Sequence, residues 1–149
     1  MSVDITHKER GKKVPTRELR KMAEGILAFL KQDRAELSLV LVDNRKIQEL
    51  NARYRNKNEP TDVLAFPSGE SLPAGVQILG DVVISVEKAE EQARKRRKTV
   101  EREMTDLLIH GILHLLGYDH ERSARDARIM HAMEKKISRA LERFVRSRS

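Results

Sequence analysis

Three histidines fall inside the segment HGILHLLGYDH, as His110, His114 and His120, and this spacing limits the fold more than any other feature of the 149-residue chain. Four residues along a helix amount to ~400° of rotation, so His110 and His114 project side by side with Cβ atoms roughly 5–6 Å apart, within reach of one metal ion. Gly117 follows Leu116 at the point where helices commonly end on a left-handed residue, and a reversal there brings His120 back toward the pair. The segment therefore reads as a helix, a glycine turn and a returning loop. The chain has no cysteine, which removes disulfides, Fe–S clusters, thiolate zinc fingers and thiol catalysis. Metal binding is left to histidine and carboxylates. Three neutral imidazoles favour zinc, one ion per chain, over nickel, copper or iron. Three protein ligands leave a fourth position open, the arrangement of catalytic zinc sites, where a bound water acquires a pKa near ~7.

The spacing is also that of the metzincin peptidases, H-E-x-x-H-x-x-G-x-x-H, but Gly111 stands where their general base belongs, which disfavours a peptidase of that mechanism. Glu103 and Asp106 precede His110 on the same helix and are candidate acceptors for imidazole N–H groups, or else solvated carboxylates of the helix's first turns. Asp119 is either a ligand-orienting or proton-shuttling carboxylate or part of a local turn. His131 falls on the flank of a helical stripe and reads as structural or solvated.

Elsewhere the pattern alternates strands and helices. Val3 and Ile5 suit a short edge strand, HKERGKK a basic loop, and Thr16 to about Gln32 a helix with Leu19, Met22, Ala23, Ile26, Leu27 and Leu30 on one side. Glu36 to Asp43 reads as a strand covered on both faces, and Asp43 or Asn44 caps a helix ending by Lys57, before the turn chemistry of Asn58-Glu59-Pro60. Asp62 to Phe66 is strand-like, Ser68 to Gly75 reads as an exposed, mobile loop, and Gly80 to Val86 is a further strand. Ser85 caps a helix to about Lys98, and Thr99 caps the helix carrying His110. Met130, Met133, Ile137, Leu141 and Phe144 form the stripe of a last helix, followed by a frayed basic end, RSRS. These elements predict an α+β or mixed α/β fold rather than a bundle, in one domain over residues 1–149.

Lys and Arg number 30 against 23 Asp and Glu, a net charge of +7, so the mean field attracts polyanions. The run ARKRRK, with Arg94, Arg96 and Arg97, and the last helix carry much of that charge, as a nucleic-acid track or a solvated face. Aromatic residues are only 3% of the chain, so any nucleic-acid recognition would rest on phosphate and shape more than on stacking. The N-terminus lacks a signal-peptide pattern and no segment reads as a membrane span, so a cytoplasmic location without membrane association is expected.

HGILHLLGYDH resembles the signature H-G-x-L-H-L-x-G-Y-D-H of the YbeY single-strand-specific metallo-endoribonucleases of bacteria. Leu50 to Pro67 (LNARYRNKNEPTDVLAFP) and Leu79 to Ser85 (LGDVVIS) resemble two further motifs of that family, with Asn58 for its usual Asp and Ala65 for its usual Ser. The resemblance implies a single α+β domain of zincin-like topology, with a small mixed sheet and packed helices. It implies zinc on His110, His114 and His120, and Arg55 as the catalytic-site cation. It further implies action on single-stranded and ribosomal RNA, at the ribosome, in maturation of the small-subunit RNA 3′ end and in ribosome quality control. Beside the resemblance, Arg55 follows Tyr54 at a helix end facing the turn NEPT, where a guanidinium can clamp a phosphate bidentately, with Lys57 as a weaker second clamp. Without a glutamate base, attack by a metal-activated water and attack by the ribose 2′-OH are both open. The rival readings are a zinc hydrolase of a peptide or small amide, and a non-catalytic RNA adaptor in which a fourth ligand would close the metal site.

Overall fold

The structure, a computed structural model, describes residues 1–8 and 14–148, with side chains through residue 143. Most of the basic loop expected around HKERGKK, the Phe144 side chain and Ser149 lie outside the described residues. The elements run β1 (Ser2–His7), α1 (Thr16–Phe29), β2 (Ala35–Val42), α2 (Asn44–Arg55), β3 (Val63–Ser71), β4 (Gln77–Ser85), α3 (Val86–Arg96), α4 (Val100–Leu115) and α5 (Ala124–Arg148). The strands form one mixed sheet in the order β1-β2-β4-β3, in which β1, β2 and β4 are parallel and β3 is an antiparallel edge. The fold is α+β.

The two-sided burial of β2 follows from helices on both faces of the sheet. On one face Leu39, Leu41 and Ile84 join Leu19, Ile26 and Leu27 of α1 and Met104, Leu108 and Ile112 of α4 in the main core. On the other, Ile47 of α2 packs with Val42, Leu64 and Val83. Helix α4 is buried around most of its circumference because it touches β3, β4, α1, α3 and α5 together. Its backbone comes so close to the sheet that a Cβ on Gly111 would lie 2.6 Å from Val82 Cγ1. This approach lays the C-terminal turns of α4 alongside edge strand β3.

The helix starts follow local capping chemistry. Asp43 accepts from the Lys46 N–H at 2.8 Å, Ser85 from Lys88 at 3.2 Å and Thr99 from Arg102 at 3.1 Å. The ends and loops differ more from expectation. Helix α1 stops at Phe29 rather than near Gln32, because Lys31 adopts φ 57° and the Gln32 N–H bonds back to the Leu27 carbonyl at 2.8 Å. Helix α3 stops at Arg96 for the same reason, with Arg97 at φ 55°. The stretch Ser68 to Gly75 is not a free loop. β3 continues to Ser71, pairing Glu70 with Ile78 and Ser71 with Gln77 past an irregularity between Pro67 and Glu70. Gly80, at φ 131°, allows that irregularity, since a Cβ there would sit 2.1 Å from the Phe66 carbonyl oxygen. Helix α5 begins at Ala124, ahead of the Met130 stripe, where Ser123 Oγ accepts from the Asp126 N–H at 3.0 Å.

Candidate active site and metal centre

His110 and His114 leave the last two turns of α4 on the side facing β3. Leu116 closes the helix, the Gly117 N–H bonds to the His114 carbonyl and the Tyr118 N–H to the Leu113 carbonyl, both at 3.0 Å. Gly117 takes φ 99°, the left-handed reversal that its residue type permits. The reversal returns His120 to the pair. Ring centroids are 4.7 Å apart for His110 and His114, 5.1 Å for His110 and His120, and 5.3 Å for His114 and His120. One ligand nitrogen from each ring lies within 4.8 Å of the others, so the three form a group that can hold a metal ion. Among the described residues no fourth His, Asp or Glu joins them.

Burial holds the His114 pKa below the ordinary imidazole value, and the neighbouring His110 and His120, then Arg55, push it the same way against the pull of Asp119. The neutral imidazole, the form that binds metal, is therefore the favoured one. Asp119 Oδ1 accepts from the Glu121 N–H at 2.9 Å, and this bond holds its carboxyl below the usual range. Asp119 thus serves the returning turn.

Glu103 and Asp106, read as imidazole acceptors or as solvated carboxylates, are instead held in ion pairs. Glu103 is fully buried and pairs with Arg96 at 2.7 Å and Lys98 at 3.4 Å, while Asp106 pairs with Lys98 at 2.8 Å and Arg102 at 3.5 Å. Both point toward the start of α4 and the α3–α4 corner. The acceptor at the triad is Glu134 of α5, whose Oε2 lies 3.1 Å from His110 Nδ1. Sequence reasoning missed it, although Met130, Glu134, Ile137 and Leu141 follow one helical stripe in which Glu134 is the polar member. His131 is exposed on α5, away from the triad.

A cleft of about 350 Å³ separates the triad from the end of α2 and the start of β3. Arg55 and Lys57 line it, and both are exposed. Among the described residues the Arg55 guanidinium takes no ion pair, which leaves its donors to face the cleft. The wall below them is built by residues that sequence reasoning did not single out. Asn51, buried beneath the turn, donates from Nδ2 to the Glu59 carbonyl at 3.0 Å, and Asp62 accepts from the Val63 N–H at 2.8 Å and from Gln92 Nε2 at 3.3 Å. Asn51 lies in the LNARYR motif, which is the signal that could have found it. Arg94, Arg96 and Arg97 lie at the end of α3 and are not part of the cleft lining.

A family model described as Endoribonuclease YbeY matches residues 4–142. The chain belongs to the YbeY endoribonuclease family. Curated YbeY endoribonucleases include one from Aquifex aeolicus, 44% identical over 138 residues that cover 90% of this chain and 91% of the relative. One from Sulfurihydrogenibium is 44% identical over 126 residues, covering 85% and 83%. The solution structure of TM1509 from Thermotoga maritima superposes with a TM-score of 0.66 at 30% identity, covering 98% of this chain and 93% of that one. At the two departures from the YbeY motif, Asn58 accepts from Gln48 Nε2 at 3.2 Å on the surface, and Ala65 presents a small side chain to the cleft.

Proposed function

We propose that this chain is a zinc-dependent, single-strand-specific endoribonuclease, one catalytic domain acting in the cytoplasm on ribosomal RNA. Its role would be maturation of the small-subunit RNA 3′ end and ribosome quality control, with the ribosome as partner. The observation that carries the reading is the juxtaposition of a three-histidine group with the Arg55 guanidinium across a cleft open to solvent. His110, His114 and His120 would hold the ion; each offers a ring-nitrogen lone pair, and the depressed pKa of His114 favours the metal-binding form of that ring. Bound there, zinc would supply Lewis acidity toward a phosphate oxygen or a nucleophile. Arg55 offers a planar fork to the scissile phosphate and stabilises the negative charge that builds up on pentacoordinate phosphorus. Lys57 adds a second cation at the cleft rim.

Arg94 and Arg97 are exposed and extend the positive surface beyond the cleft toward more distant phosphates. Arg96 contributes charge there as well, but it is tied to the buried Glu103 carboxylate. Gly111 bears on the choice of chemistry. The close approach of α4 to Val82 leaves no room for a glutamate beside His110, which disfavours a metzincin-like peptidase. Among the described residues no helix is long and apolar enough to cross a membrane.

The test is metal analysis of the purified protein combined with cleavage assays on single-stranded and double-stranded RNA oligonucleotides and a peptide library. The expected result is close to one zinc per chain and cleavage of single-stranded RNA alone. Zinc-loaded protein that cuts no RNA would overturn the nuclease reading in favour of an RNA adaptor.

A further inference from the structure

The geometry points to Glu134 as the positioning residue that sets which nitrogen His110 presents to the metal, an inference that rests on the metal reading above. Helix α5 contacts both α4 and α1, and its Met130, Ile137 and Leu141, which are 1%, 0% and 6% exposed, join the core those helices line. Their spacing places Glu134 on the same seam, four residues after Met130 and three before Ile137. A carboxylate there interrupts an otherwise apolar contact, and the structure gives it His110 as its partner, 3.1 Å from Nδ1. At neutral pH a glutamate carboxylate only accepts hydrogen bonds, so Nδ1 must carry the proton and donate it. In the neutral form of the ring, the form that binds metal, Nε2 is then left with its lone pair. One contact therefore fixes both the tautomer and the ring plane of the first histidine of the triad.

The His110 and Glu134 side chains are 27% and 28% exposed, so water competes only in part and the bond can hold the ring before any ion arrives. A carboxylate in this position also raises the electron-donating power of the opposite nitrogen. α5 is thus a working part of the site although none of the three histidines belongs to it. The carboxylates on α4 itself cannot substitute, since Glu103 and Asp106 are engaged by Arg96, Lys98 and Arg102.

The experiment uses the full chain in two states. In zinc-free protein, nitrogen-15 NMR of the histidine rings, assigned with His110→Gln, should report the Nδ1–H tautomer for His110 in the parent and a mixture with Nε2–H in Glu134→Ala. In chelator competition, Glu134→Ala should bind zinc about 10- to 100-fold more weakly than the parent. Glu134→Gln, which keeps an acceptor oxygen and the side-chain shape, should lose less. Glu142→Ala, which removes one of the partners of Arg102 on the same helix pair, should lower the melting temperature while keeping parental zinc affinity. Parental tautomer and parental affinity in Glu134→Ala would overturn the inference, as would an equal loss of affinity in Glu142→Ala. If the parent itself takes up no zinc, the metal reading fails, and the tautomer comparison alone decides the role of Glu134. If Glu134→Ala does not fold, Glu134→Gln against Glu142→Ala carries the same comparison.

Discussion

At the scale of single residues, the site divides into groups that would hold metal and one that would meet substrate, and substitution should separate them. Arg55 is exposed at the end of α2 and takes no ion pair among the described residues, so Arg55→Ala should leave zinc content and melting temperature close to parental. A guanidinium meeting a phosphorane carries more of its stabilisation in the transition state than in the ground state, so single-turnover cleavage should fall by about 10²-fold or more. RNA affinity should change little, and Arg55→Lys should restore only part of the rate because it keeps the charge without the fork. Cleavage at the parental rate by Arg55→Ala would remove the arginine from the chemistry. His114→Ala should lose zinc, since one member of the helical pair is then gone. Because folding holds the His114 pKa below its unfolded value, the unfolded chain takes up this proton first as the pH falls. The contribution of His114 to stability is whole above the unfolded value near ~6.5 and shrinks below it, down to the folded value. Urea midpoints of zinc-free parent and His114→Gln should therefore diverge in their pH dependence as the pH falls below ~6.5, the parent losing more.

At the scale of elements, the site depends on how closely α4 rides on the sheet. Gly111→Ala would drive a Cβ to 2.6 Å from Val82 Cγ1 and 3.1 Å from its Cγ2, so helix and sheet would have to part. Overpacking of this kind costs about 1–3 kcal/mol, which a urea titration resolves, and zinc affinity should weaken as His110 and His114 move with the backbone. What could be read from the sequence follows the range of the interaction responsible. The caps at Asp43, Ser85 and Thr99 and the reversal at Gly117 depend on residues within one turn of each other, and the chain announces them. The histidine triad was legible for the same reason. The early stop of α1 at Phe29 is local too, but it uses a non-glycine, Lys31, at φ 57°, which its residue type does not announce, while the continuation of β3 past Pro67 depends on Gly80 making room across the ladder. Glu134 was missed because its partner is 24 residues away in sequence, and Glu103 was misread because its cations come from the preceding helix and the corner after it.

At the scale of the whole molecule, the net charge of +7 can act on RNA only through cations that are free to meet phosphate. Arg94 and Arg97 qualify, whereas neutralising Arg96 would also strand the buried Glu103 carboxylate and confound binding with unfolding. The double variant Arg94→Gln with Arg97→Gln should therefore flatten the dependence of log affinity on log salt by about 1.4 for single-stranded RNA, at ~0.7 for each phosphate left without its arginine. An unchanged slope would return the α3 end to a solvated face, with cleavage unaffected. The flush seating of Gly111 on Val82 has a consequence on a longer timescale. The glycine codons GGA and GGG lie one base from a glutamate codon, so a single base change from either would offer this position the carboxylate that peptidases of the same histidine spacing use. The sheet rejects that offer on volume before any chemistry is tried. A glutamate at position 111 would first require volume to be given up at Val82 of β4.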